Sequence, residues 1–371
     1  MKIINIVDDI RPVNFGIWSA SIITAQALKD EYHVDSQIWY PAVSAPEPLP
    51  HLYGAKGIAL ASTSVAELEG LIQSQELSPA DTVICTHGSW RYPTKWGAAF
   101  RKLGFVWVYV PQGMLEPWSM AQKAFKKQIY FQLIEGRLAR RASMVRAVST
   151  PEGNNLRKLF PATTNLLPNS VPNRGTQTPR LQDVPVTTIL FMARLHHKKG
   201  IIPLVEAWLA SSLNNDGSWQ LLIAGPDDGE LPQLKGLLAA AGLDSNVKYL
   251  GAVYKEQKSA VLESAQFYIL PTMSEGFPTS VVEAMQHGLI PIMSDGANFP
   301  EAFEAGIGIK ITQSVNDIIA GLEQAKSLSS AERSNLSIKA EAFIQDGYVV
   351  ERQVKVQNEV FSDLLRKNDR H

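Results

Sequence analysis

The chain has a single cysteine, Cys85. That excludes a disulfide within the chain and any metal site built on several thiolates, and it fits a reducing compartment. Cys85 stands in the apolar run Thr82-Val83-Ile84-Cys85 and reads as a buried strand residue rather than a nucleophile. No apolar run approaches the roughly 20 residues that a helix needs to cross a bilayer, so any membrane association is expected to be peripheral. Charge of one sign is not in excess: 35 Lys and Arg stand against 36 Asp and Glu, a formal net charge of -1. Nothing global therefore calls for a nucleic-acid partner. A secretory leader is not expected, because Met1-Lys2-Ile3-Ile4-Asn5-Ile6-Val7-Asp8-Asp9 turns acidic at once and reads as a strand. No Asp-x-Asp metal motif, fixed-period repeat or low-complexity tract is evident, and Asp8-Asp9, at a strand end, reads as structural or at most weakly functional.

What is present is an ordinary globular composition. Of 371 residues, 45% are hydrophobic and 19% charged, ample for two cores at roughly 100–200 residues per domain. Short apolar runs alternate with segments of helical period. Strands are expected over 3–7, 34–39, 82–85, 105–110 and 144–148, and helices over 19–29, 65–73 and 95–103. A long helical stretch is expected to about Arg141. Pro161, Pro168, Pro172, Pro179 and Pro185 then cluster in a linker, which places a domain boundary near 176–183. A second series follows, with strands over 188–192, 219–224, 247–249, 267–270 and 290–294 and helices over 204–210, 231–240, 256–264 and 279–287. The tail from Ala331 is helical and charged. Such alternation implies an α/β class with mostly parallel sheets, covered by helices on both faces. The expected domains are 1–175 and 184–345, with a helical tail over 346–371. Ligands of such sheets bind beyond the C-terminal strand ends, so function is expected in loops that follow strands.

Two such loops in the second half carry chemistry. Pro271-Thr272-Met273-Ser274-Glu275-Gly276-Phe277-Pro278-Thr279-Ser280 leads from a strand into a helix. Pro278 suits the first helical turn, and Gly288 suits the residue after the last. The helix start offers free N–H groups and a positive dipole end, a natural diphosphate site. Glu275 and Glu283 flank it, which makes sense if each accepts hydrogen bonds from hydroxyls. The second loop is Arg194-Leu195-His196-His197-Lys198-Lys199-Gly200. Arg194 grips phosphate oxygens bidentately and Lys199 adds a compact charge, together neutralising a leaving nucleoside diphosphate. Either loop alone reads as surface charge; both, each after a strand in one β/α domain, point to a phosphate site.

These residues carry a family likeness. The chain resembles the family 4 glycosyltransferases, retaining enzymes of the GT-B fold. Glu275-Gly276-Phe277-Pro278 with Glu283-Ala284-Met285 matches the family's E-x7-E element, and Arg194-Leu195 with Lys199-Gly200 its basic pair. Ala224-Gly225-Pro226, Val247-Lys248-Tyr249-Leu250-Gly251, Leu270-Pro271-Thr272 and Pro168-Asn169-Ser170-Val171 match further positions. The resemblance implies two Rossmann-like β/α/β domains facing a central cleft, with the tail packing back on the first. It implies a nucleotide-diphosphate sugar as donor, no cofactor and no bound metal. Arg194 and Lys199 would bind the diphosphate, Glu283 the ribose and Glu275 the transferred sugar. Backbone at Phe277, Thr279 and Ser280 beside Pro278 would face sugar and phosphate, and Val253 and Tyr254 would lie near the base.

In the first half, Arg11-Pro12-Val13-Asn14-Phe15-Gly16-Ile17 stands where the family often has a Gly-Gly loop, and Gly16 is its one glycine. His87, in Thr86-His87-Gly88-Ser89-Trp90, would face the cleft and contact donor sugar or acceptor; the alternative is a hydrogen-bonded structural histidine. Pro111-Gln112-Gly113-Met114-Leu115-Glu116-Pro117-Trp118 resembles a segment of the branch that builds bacterial surface polysaccharides. That branch carries histidine where this chain has Gln112, which cannot shuttle protons near neutral pH. Trp90 and Gln112 are acceptor-side candidates. Over 118–146, Lys123, Lys126, Lys127, Arg137, Arg140, Arg141 and Arg146 outnumber Glu135, with Phe125, Ile129, Tyr130, Leu133 and Ile134 interleaved. Two readings stand: a basic amphipathic surface against anionic headgroups, or an ordinary helix with its apolar face in the core.

The chemistry expected is transfer of a sugar to a saccharide or lipid-linked saccharide acceptor, as in bacterial cell-surface polysaccharide synthesis. Retention by a front-face route is expected, the leaving diphosphate helping to take the acceptor proton. The expected location is cytoplasmic, at the inner membrane face where the basic stretch reaches it. Rival readings are a nucleotide-sugar epimerase of the same architecture and a non-catalytic nucleotide-sugar binding protein.

Overall fold

In the computed structural model the described residues are 1–175, 184–242 and 245–369. The chain divides into two compact units, Met1–Asn173 with Tyr348–His371, and Arg174–Gly347. The boundary expected near 176–183 lies outside the described residues.

The first unit is built on seven parallel strands: β1 Lys2–Ile6, β2 Asp35–Pro41, β3 Lys56–Leu60, β4 Thr82–His87, β5 Val106–Val110, β6 Met144–Ala147 and β7 Thr164–Leu166, in the order β3-β2-β1-β4-β5-β6-β7. β4 and β5 are buried along their whole length, as expected of apolar runs covered by helices on both faces. Trp39, Trp96 and Phe100 pack edge-on or tilted on one side of the sheet; Trp107, Tyr109, Phe131 and Phe160 form a second cluster. The strand order reverses between β1 and β4, so the loops after these two strands open at a switch point, where such sheets place ligands.

The second unit has β8 Thr187–Met192, β9 Trp219–Ala224, β10 Val247–Tyr249, β11 Phe267–Leu270, β12 Ile290–Ser294 and β13 Ile309–Ile311, ordered β10-β9-β8-β11-β12-β13 and again parallel. Its order reverses between β8 and β11. The two loops with the expected phosphate chemistry are those that follow β8 and β11.

Several local expectations need correction. The helix expected over 19–29 is two, Phe15–Ile22 and Ala25–Tyr32. Gly16 therefore lies in a helix's first turn, and a Cβ there would meet nothing within 4 Å. The long helix before Arg141 is broken into Pro117–Ala121, Ala124–Tyr130, a π-helical turn Phe131–Glu135 and Gly136–Ala139; Lys123 turns the chain at φ 55°. Arg146, counted with the basic surface, is buried in β6, where its guanidinium donates to Leu167 O (2.8 Å) and Pro168 O (3.0 Å). The tail is two helices in different units. Ser330–Gly347 belongs to the second unit, whereas Val350–Asn368 packs in the first. There Thr24 Oγ1 donates to Gln357 Oε1 (2.9 Å) and Arg101 to Asn368 Oδ1 (2.7 Å).

Candidate active site

In the second unit the loops after β8 and β11 are stitched together. Met273 N–H donates to Lys198 O (2.8 Å), the Thr272 hydroxyl reaches the same carbonyl (3.2 Å), and Tyr268 OH donates to Met192 O (2.7 Å). Gly200 makes the close approach possible. It sits at φ 73°, and a Cβ there would collide with the Pro271 carbonyl, so only glycine fits. The turn His197–Lys199 then presents Lys199 to Glu275, with Nζ 2.7 Å from Oε1. Both side chains are largely shielded, 15% and 12% exposed. Glu275 Oε1 also accepts from Thr272 Oγ1 (2.6 Å), its N–H donates to Gly296 O (2.7 Å), and its carbonyl accepts from Asn298 (2.6 Å). Burial raises the Glu275 carboxyl, but the charges of Lys199 and Lys198 and the hydrogen bonds from Lys199 and Thr272 outweigh it and hold the group below the usual carboxylate range.

Arg194 does not stand free at the end of β8. Its guanidinium donates to Asp228 Oδ2 at 2.7 Å, and both side chains are partly exposed. The two cations expected on the phosphate thus each hold a carboxylate: Lys199 holds Glu275, Arg194 holds Asp228.

Pro278 caps the helix Thr279–Gln286 instead of opening its first turn. Thr279 N–H is taken by Phe277 O (3.0 Å), while Val281 and Val282 N–H donate to Pro278 O. The expected row of N–H donors from Phe277 to Ser280 is therefore narrower than the sequence suggests. Phe277 is buried, its ring 6.2 Å from that of Phe299. Glu283 follows on this helix, and both its oxygens accept from Lys258 Nζ at 2.7 Å. Lys258 stands on the helix Lys255–Glu263, capped by Tyr254, whose ring is 58% exposed; Val253 precedes it half-buried.

Lys258 and Asp228 escaped the sequence reading. Asp228 follows the Ala224-Gly225-Pro226 turn, and acidity directly after a strand end was the available signal. Lys258 gave none: its partner lies 25 residues away on another helix.

In the first unit, His87 ends β4 and is 1% exposed. Its Nε2 lies 3.1 Å from Asn5 Oδ1, and burial together with the Arg146 charge pushes the imidazole down to about 3. The expectation of a cleft-facing ring needs correction: His87 is an internal, neutral histidine. Trp90, at φ 73°, packs against Tyr130 and Phe131 (ring centroids 6.1 and 6.4 Å), with Lys127 Nζ 5.7 Å from its ring. Gln112, at φ 55°, accepts from Asn169 Nδ2 at 3.1 Å, which leaves its Nε2 buried without a partner. The next residue, Gly113, donates its N–H to Glu152 Oε1 (2.6 Å), and Val148 N–H donates to Oε2 (2.8 Å). Burial pushes the Glu152 carboxyl up to about 7 against these two hydrogen bonds. Among the described residues no group of three or more His, Cys, Asp or Glu is placed to hold a metal.

Residues 180–343 match the family model described as Glycosyl transferases group 1. That match falls within the second unit. The GDP-mannose:cellobiosyl-diphosphopolyprenol alpha-mannosyltransferase of Xanthomonas campestris is 31% identical over 212 residues, which cover 55% of this chain and 54% of that protein. The amylovoran biosynthesis glycosyltransferase AmsK of Erwinia amylovora is 32% identical over 125 residues, 32% of this chain and 30% of that one. The chain thus spans about half the length, or less, of these curated relatives. Among solved structures, Anabaena Alr3699/HepE in complex with UDP and glucose superposes with a TM-score of 0.75 at 16% identity over 98% of this chain and 100% of that one. Sucrose-phosphate synthase from Thermosynechococcus elongatus gives 0.77 at 17% identity over 99% and 100%. At such identity the likeness is one of fold, and it establishes two Rossmann-like units of the GT-B fold for this chain.

Proposed function

We propose that the protein is a retaining glycosyltransferase that moves a sugar from a nucleotide-diphosphate donor, held by the second unit, to a saccharide or lipid-linked saccharide. The observation that carries this reading is the Lys199–Glu275 pair at the β8/β11 switch point, inside the segment that matches the group 1 family. Donor binding exchanges partners. The diphosphate takes Lys199 and Arg194, and the released Glu275 carboxylate accepts hydroxyls of the transferred sugar. Glu283 accepts the ribose hydroxyls, with Lys258 balancing its charge. Val253 and Tyr254 lie beside the base, and Thr279 and Ser280 beside the phosphate. As the glycosidic bond to the leaving phosphate breaks, charge grows on the diphosphate, where Lys199, Arg194 and the helix start offset it. A phosphate oxygen takes the acceptor's hydroxyl proton while the new C–O bond forms on the same face, so configuration is retained and no divalent metal takes part.

A buried neutral His87 does not serve as a proton shuttle, so its part is to hold Asn5 and the β4 loop. Gln112, with its unpartnered amide nitrogen, and Trp90 serve the acceptor. The polyprenol-linked acceptor named for the Xanthomonas relative makes a lipid-linked saccharide the preferred class, at the cytoplasmic face of a membrane. The rival epimerase would alter donor without acceptor; a binding protein would do neither.

Thermal melts with UDP, GDP, ADP and TDP, each with and without magnesium, test the donor site. One nucleotide is expected to raise the midpoint without magnesium, and Arg194→Ala to abolish the shift. No shift with any nucleotide would remove the reading.

A further inference from the structure

The broken helical segment of the first unit turns an apolar row outward. Phe125 is 77% exposed, Ile129 42% and Leu133 57%, spaced one helical turn apart, with Ile134 beside them at 39%. Large apolar side chains so concentrated on one surface mark an interaction site rather than ordinary scatter. The polar residues around them are of one sign. Lys123, Lys126, Arg137, Arg140 and Arg141 are all exposed. The one carboxylate within 118–141, Glu135, points inward and accepts from Thr94 (2.8 Å) and Tyr109 (2.9 Å). The outward face therefore carries five cations and no anion in a chain whose net charge is only -1.

The same segment is fixed firmly from within. Phe131 joins the core cluster with Tyr109 and Phe160, and Lys127 is held by Ser119 O at 2.6 Å. The exposed row is thus presented by an anchored element.

We propose that residues 121–141 are the face by which the first unit docks on a bilayer bearing anionic lipid. Phe125, Ile129 and Leu133 enter the acyl boundary, and the flanking lysines and arginines meet headgroup phosphates. The apolar row supplies depth and the unopposed cations supply the preference for anionic lipid. Among the described residues no helix is long and apolar enough to cross a membrane, so this contact is interfacial. It rests on first-unit residues alone and stands apart from the donor-site reading. For that reading it supplies the partner: Trp90, an acceptor-side residue, packs directly on this element.

The test is co-sedimentation of the full chain with phosphatidylcholine vesicles, with and without phosphatidylglycerol. Binding is expected only with phosphatidylglycerol and is expected to weaken as salt rises. The double variant F125E/I129E and, separately, K126E/R140E should each bind at least about tenfold less, their melting midpoints and nucleotide-induced shifts unchanged because all four positions are exposed. Wild-type protein that ignores phosphatidylglycerol, or variants that bind as wild type, would overturn the proposal. So would a concentration-dependent dimer, seen without vesicles and lost in F125E/I129E, which would assign the face to a second copy of the chain. A lost nucleotide shift with intact vesicle binding would count against the donor site and leave the docking face standing.

Discussion

Lys199 Nζ and Glu275 Oε1 lie 2.7 Å apart across two loops whose parent strands, β8 and β11, are neighbours at the point where the strand order reverses. Neither side chain has free access to water, so removing one leaves the other's charge shielded and unpaired. Lys199→Met is expected to lower stability by roughly 2 kcal/mol or more. Glu275→Gln, which still accepts from Thr272, is expected to lose less. Both variants should lose transfer activity by about a hundredfold or more under the proposed roles, Glu275 on the transferred sugar and Lys199 on the leaving group. Melting curves and initial rates on the two proteins decide this; wild-type turnover in Glu275→Gln would remove Glu275 from the site.

The Lys258–Glu283 pair sets up a different outcome. Without Lys258, Glu283 stands uncompensated close to where a diphosphate is proposed to bind. Lys258→Met is expected to weaken nucleotide affinity about tenfold, and the double variant Lys258→Met/Glu283→Gln to recover part of the loss. A coupling of about 1 kcal/mol in this cycle, measured by titration calorimetry, would be the signature. Strict additivity would show that the two side chains act independently on the ligand.

Glu152 gives a pH dependence of defined sign. Its carboxyl is raised in the folded state from 4.5 to about 7, so the folded protein binds the proton more tightly than the unfolded chain. The stability it contributes is full below about 4.5 and is lost as pH rises through about 7. In Glu152→Gln that slope between pH 5 and 7 is expected to flatten. Near pH 5, where the carboxyl is protonated, stability should also fall, because one of two N–H donors, Gly113 or Val148, loses its acceptor. Denaturant midpoints across this range provide the measurement; an unchanged slope would place the titration elsewhere.

Two glycines on helices should respond oppositely to alanine. At Gly97 a Cβ would collide with the Trp107 indole, and at Gly16 it would meet nothing. Gly97→Ala is expected to cost about 1–3 kcal/mol through overpacking. Gly16→Ala is expected to leave stability unchanged or raise it by about 0.5–1 kcal/mol. Equal melting midpoints for the two variants would contradict this packing account.

The second unit was the more legible in sequence. Val247–Tyr249, Phe267–Leu270 and Ile290–Ser294 are short, β-rich and bounded by turn residues, and they form strands with the expected bounds. Three edge strands, β3, β7 and β13, were not foreseen. Lys-Gly-Ile-Ala-Leu, Thr-Asn-Leu and Ile-Lys-Ile are too brief or too mixed to show a period of their own and depend on a neighbour already in place. At the site, the loops were legible because a charge after an apolar run marks a strand end. The pairings were not: Arg194 with Asp228, Lys258 with Glu283 and Gln112 with Asn169 join elements by topology, not by spacing. Burial of His87 and Arg146 was equally hidden, since a polar residue at a strand end can face either way until its neighbours are known.

The chain leaves the first unit at Asn173 and returns to it at Tyr348. Beside these crossings Val171 N–H donates to Tyr348 O (2.9 Å) and Val350 N–H to Val171 O (3.0 Å), so the outgoing and incoming strands lie side by side. The second unit is in effect a cassette spliced into an otherwise continuous host. A C-terminal truncation at 348 would not trim the second unit; it would strip the host of the helix that Thr24 and Arg101 hold. A chimera that exchanges the second unit must instead cut twice, at adjacent points, and leave the last helix with its original owner.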